Sequence, residues 1–193
     1  MSKADFFKRY WDLNRNAEVD SVQLVGEAID ILHPYFGISP SAKCWDKTPA
    51  PTVFVRYDFP EDYGEYYGYQ DQDSEVGPGI HLPVYKGDHQ ALSVGGHEVG
   101  HFLHDLKNHR NYQEIVSLTS QNNGGASELW EAVANYAEIL FLSRKLGMSN
   151  PVRSSAFSLH NLANINGKGI SLGLEKRITI FHEVLKEIRI RDI

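Results

Sequence analysis

Gly95-Gly96-His97-Glu98-Val99-Gly100-His101-Phe102-Leu103-His104 is the stretch on which the reading of this chain turns. It sits inside a segment, about residues 89–108, that reads as a helix. On a helix, positions four apart differ by about 40° in angle and about 6 Å in rise, so His97 and His101 project from one face. Two imidazoles in that relation suit two ligands of one tetrahedral zinc ion. Glu98 is turned about 100° from His97 and about 60° from His101. From there its carboxylate can reach a water polarised by the metal and accept its proton as a general base.

The glycines around the motif point to a neighbour. Gly95, Gly96 and Gly100 lie within or beside the helix, where each costs about 0.5–1 kcal/mol relative to alanine. Such a cost is expected where something packs very close, and a second helix or a bound metal assembly would qualify. His104 shares the metal face but lies about 10 Å along the axis from His97, too far for both to bind one ion, so a packing role, or one supporting a ligand from behind, is expected. Asp105 and His109 read as exposed helix residues.

Two histidines and a water leave a catalytic zinc one protein ligand short. The run Ser127-Glu128-Leu129-Trp130-Glu131-Ala132-Val133-Ala134-Asn135-Tyr136-Ala137-Glu138 reads as a helix opened by Ser127 as N-cap. Glu131 and Asn135 share a face, and small Ala134 between them lets that face lie close against the motif helix. Glu131 can complete a His2Glu site, with Asn135 orienting a ligand imidazole from behind. Glu128, one turn earlier on the same face, is the rival ligand, and Glu138 lies on that face farther along.

Residues 97–104, HEVGHFLH, followed about thirty residues later by residues 131–135, EAVAN, resemble the gluzincin metallopeptidases. Within that class the similarity is greatest to the compact ImmA/IrrE-type peptidases. The resemblance covers about forty residues and implies zinc held by His97, His101 and Glu131, Glu98 as base, Asn135 in support, and a peptide or protein substrate. It also implies an edge strand ahead of the motif helix that lines the substrate cleft, a place residues 80–85 would fill. There are departures: Val133 stands where these peptidases often carry an acid, and no helix-turn-helix accompanies the motif. The metzincin pattern fails, because the position ten after the first ligand is Lys107.

The rest of the chain supplies a scaffold. Residues 3–13 and 18–33 read as helices, the second with Val22, Val25, Ile29 and Leu32 at helical spacing and Pro34 at its end. Thr52-Val-Phe-Val-Arg-Tyr57 is β-rich and predicts a strand. Pro60 to Gly79, with Tyr63, Tyr66, Tyr67 and Tyr69, reads as an exposed loop or loose hairpin, and as a substrate-binding flap. Residues 80–85 alternate as a strand that Pro83 would confine to a sheet edge. Further helices are expected over 111–120, 127–146 and 172–190. The fold class predicted is α+β: one domain over residues 1–193, with a small, mostly antiparallel sheet, an edge strand beside the motif helix and a helix-rich C-terminal half.

The 193 residues carry a formal net charge of −6 with scattered basic residues, which gives no footprint for nucleic acid. No apolar run approaches the roughly 18 residues needed to span a bilayer. Cys44 is the one cysteine, expected to be a half-buried structural thiol. The lone thiol and a start threaded with charges fit a cytoplasmic protein. For an oxyanion donor the sequence offers Tyr63, Tyr66, Tyr67, Tyr69, His160 and His182. The function expected is a zinc-dependent hydrolase acting on peptides. The alternatives are a catalytically silent binding or regulatory module and a hydrolase of non-peptide amides or esters.

Overall fold

The computed structural model describes residues 2–47, 49–68, 79–87, 89–108 and 125–146; within the last segment, side chains are described from residue 133 onward, except at residue 143. The expected helices at 111–120 and 172–190 lie outside these residues, as do Tyr69, His109, His160 and His182.

Helix α1, Lys3–Leu13, opens with a reciprocal cap: the Ser2 hydroxyl accepts from the Asp5 amide, and the Asp5 carboxylate accepts from the Ser2 amide at 2.8 Å. It buries Phe6 and Tyr10. Asn14 closes it and ties it to the sheet, donating to the carbonyls of Tyr10 and Pro51 and accepting from the Val53 amide at 2.7 Å. Helix α2, Val19–Leu32, is capped by the Glu18 carboxylate and buries Val22, Val25, Ile29 and Leu32, the four residues picked out by their spacing. Pro34 sits within a 3-10 turn, His33–Phe36, which ends at Gly37 with φ of +67°. The single-turn helix α3, Cys44–Lys47, carries Trp45, which is fully buried with its indole N–H on the Ser39 carbonyl. Cys44 is half-buried and burial pushes its thiol up, so it is no ready nucleophile.

Three strands follow: β1, Thr52–Arg56; β2, Glu65–Tyr67; and β3, Gly79–Pro83. They form one sheet in the order β1-β3-β2, with β1 parallel and β2 antiparallel to β3. This corrects the expectation of a mostly antiparallel sheet with residues 80–85 at its edge: the sheet is mixed, and β3 is its centre among the described residues. Pro83 is tolerated there because it is the last residue of the strand, paired with Arg56, where a missing N–H costs the ladder least. The tyrosine-rich stretch contributes β2, which flanks β3 on the side opposite β1.

Helix α4, His89–Asn108, carries the motif, and helix α5, Gly125–Leu146, begins two residues before the expected cap at Ser127. The core gathers Phe6, Ile29, Trp45, Ile80, Val99, Phe102 and Phe141 between the helices and one face of the sheet. Among the described residues no helix is long and apolar enough to cross a membrane.

Candidate metal centre

The close neighbour demanded by the motif glycines is α5, joined on one side by α2. A Cβ on Gly100 would come within 2.6 Å of the Ala137 Cβ and 2.9 Å of the Ala134 Cα. One on Gly96 would meet the Phe141 ring and, at 3.2 Å, the Cα of Glu138. Gly95 faces the end of the Leu24 side chain instead. As α4 advances from 96 to 100, the contacts on α5 retreat from 138–141 to 134–137. The two helices therefore run antiparallel at near backbone contact.

On this rigid base His97 and His101 come together as expected, with ring centroids 4.9 Å apart and ring planes at 85°. His97 retains 19% of its side-chain exposure, while Glu98, His101 and His104 are buried. Burial, reinforced by the neighbouring His97 and His104, holds the His101 imidazole well below its usual pKa. It is therefore neutral, the state in which a ring nitrogen can ligate a metal.

The sheet covers the motif from the other side. Gly64, just ahead of β2, lies so near Glu98 that a Cβ there would come 3.0 Å from the carboxylate oxygen and 2.5 Å from a methyl of Val94. Tyr66 lies nearly parallel to the His101 ring, at 6.4 Å and 17°, and its hydroxyl donates to Asp105 at 2.8 Å. Asp105 is thus buried, at 8% exposure, and the expectation that it is an exposed helix residue is overturned: its partner arrives from 39 residues away.

Among the described residues, the tyrosine hydroxyls considered as oxyanion donors are already committed to carboxylates. Tyr63 and Tyr67 both donate to Glu65, as Tyr66 does to Asp105. The hydrogen bond to Glu65, with burial and the surrounding negative charge, including that of Glu98, pushes the Tyr63 phenol up to about 12.

Behind the histidines the structure departs from the sequence reading. Asn135 is 1% exposed, and its amide makes no hydrogen bond among the described residues. It is Glu138 that reaches His97, with Oε2 3.7 Å from Nδ1, while its other oxygen accepts from the Ser93 hydroxyl. The side chains of Glu128 and Glu131 lie outside the described residues, and among those described no three His, Cys, Asp or Glu form a group able to hold a metal. The residues that are described fit a zinc ion in kind: two adjacent imidazoles, one of them held neutral, and a buried carboxylate within the same turn.

No protein-family model matches the chain, and neither a curated protein nor a solved structure matches it.

Proposed function

We propose that this protein is a zinc-dependent hydrolase, a peptidase of the gluzincin kind, with His97, His101 and Glu131 holding the ion and Glu98 acting as the general base. The observation that carries the reading is the arrangement on α4: paired imidazoles with a buried glutamate between them, packed against α5 through glycine. The antiparallel pairing of the helices supports Glu131 over Glu128. With position 100 level with 134 and position 96 level with 138, position 131 falls level with 103, about half a turn beyond His101. Position 128 falls level with 106, about 7.5 Å beyond it along the axis.

Bound zinc would supply a Lewis acid that polarises an attacking water and the scissile carbonyl. Glu98 takes the proton that this water gives up and hands it to the leaving amine nitrogen, so it must be ionised at the start and protonated midway. Its burial between Val94 and Gly64 keeps bulk water from competing for that proton. The part expected of residues 80–85 passes to β2, one of the two outer strands among the described residues, since Gly64, just ahead of it, abuts Glu98. An extended peptide laid along that strand would bring a main-chain carbonyl to the motif. A zinc site of purely structural kind would have no use for Glu98, which favours hydrolysis over a silent binding module.

The test is metal content beside turnover. The purified chain should bind one zinc, and E98Q should keep that zinc while losing hydrolysis of a quenched peptide library by about 10²–10⁴-fold. Full activity in E98Q, or no zinc bound by the wild type, refutes the proposal.

A further inference from the structure

Glu138 is a buried carboxylate that the reaction above does not use. Its side chain is only 4% exposed, and a carboxylate that deep is costly unless it is paired. Among the described residues its ionic contact is His97, through Oε2 and Nδ1, and its other oxygen is held by the Ser93 hydroxyl. Ser93 lies one turn ahead of His97 on the same face of α4, so the two contacts hold the carboxylate at two points along that helix. There is little slack in the arrangement, because Gly96 lets the Glu138 backbone come within van der Waals reach of α4.

We infer that Glu138 is the positioning residue for His97: it accepts the Nδ1 proton, fixes the tautomer whose lone pair lies on Nε2, the atom that would ligate a metal, and sets negative charge behind the ring. This rests on the zinc-hydrolase reading. The pairing gives the buried carboxylate a partner, and a metal held by the far side of the imidazole would make Nδ1–H a stronger donor to it. The 3.7 Å separation closes to a hydrogen bond with a shift of about 0.7 Å. Asn135 does not fill this place, because its amide reaches no partner among the described residues.

The same separation would also suit two ligands of one ion, and the experiment is chosen to tell these apart. Zinc affinity of the full chain is measured by chelator competition for wild type, E138A, E138Q, S93A, N135A and H97A, with the visible spectrum of each cobalt-loaded form. Metal-free melting curves identify any variant that fails to fold. E138A is expected to lose about 10–100-fold in zinc affinity, E138Q less because it keeps an acceptor oxygen, and S93A less again. The cobalt bands should keep the intensity of a four-coordinate site in all three, and N135A should bind as wild type does. Unchanged affinity in both E138A and E138Q overturns the inference and leaves the proposed function standing. Loss as complete as in H97A, with collapse of the cobalt bands, also overturns it and makes Glu138 a ligand. Absence of zinc binding in the wild type overturns both.

Discussion

Replacing Gly100 with alanine tests whether the contact between α4 and α5 builds the site. On an isolated helix the change would stabilise by about 0.5–1 kcal/mol, since alanine is the better helix former. Here the new methyl would stand 2.6 Å from the Ala137 Cβ and 2.9 Å from the Ala134 Cα, where ordinary contact begins near 3.4 Å. About 0.8 Å has to be found, and the atoms in the way are backbone and a Cβ, which have no rotamer to escape into. Overpacking of this kind costs about 1–3 kcal/mol. After the gain in helix propensity, G100A should be destabilised by about 1 kcal/mol, and by no more than about 2.5 kcal/mol, in urea unfolding of the metal-free protein. The functional loss should be larger than the stability loss suggests. A shift of about 0.8 Å between the helices exceeds the roughly 0.5 Å within which such a site must be held, so hydrolysis should fall about 10²-fold. Gly95→Ala is the control, because its methyl meets the Leu24 side chain rather than backbone and should cost less of both properties than G100A does. A G100A protein more stable than wild type, with unaltered turnover, would refute the argument that this contact sets the site.

Substituting the two rival carboxylates should separate them: E131A loses stoichiometric zinc while E128A keeps it, measured by metal analysis after dialysis, and the opposite pattern would move the third ligand one turn back. Tyr66→Phe removes a donor to the buried Asp105 carboxylate and should cost about 1–3 kcal/mol in urea unfolding; a loss below about 0.5 kcal/mol would mean that the strand–helix tie is dispensable. Stability should also fall with acid. Burial, assisted by Lys3, holds His33 below its usual pKa, and burial with Arg56 does the same for His81. The unfolded chain therefore binds more protons than the folded one below about pH 6.5, so the stabilisation present above that value declines as pH drops towards the folded-state pKa values. His33→Asn, which keeps a donor for the Ile38 carbonyl but does not titrate, should flatten that slope in denaturation series between pH 7.5 and 5; an unchanged slope would rule His33 out as a contributor.

The parts of this molecule that could be read in advance are those whose signal is local. The periodicity of Val22, Val25, Ile29 and Leu32 states which side of α2 is buried, because a helix repeats its face whatever it packs against. The same holds for His97 and His101, whose relation depends only on helix geometry. Sheet order is different. Alternation in residues 80–85 marks a strand but says nothing of its neighbours, and Pro83 pointed to an edge only because its place at the very end of the ladder was unknown. A three-residue strand such as β2 is too short to show a period among the surrounding tyrosines and glycines. Asp105 looked solvated because its donor comes from another element.

Glu138 marks the boundary between the two kinds of information. Glu131, Asn135 and Glu138 were all seen to share one face of α5, yet a face does not say which of its residues meets His97. That is decided by the level at which two antiparallel helices meet, and the glycines carry that level. Once Gly100 is set against Ala134, four residues back on α4 must oppose four residues forward on α5, which puts Gly96 opposite Glu138. Glu138 then stands within one residue of His97's own level, while Asn135 falls level with position 99, about half a turn beyond it. The small-residue contact could have been used as a ruler on the sequence itself, had the direction of α5 been known. Direction is a property of the connection between helices, and the residue types on either face are silent about it.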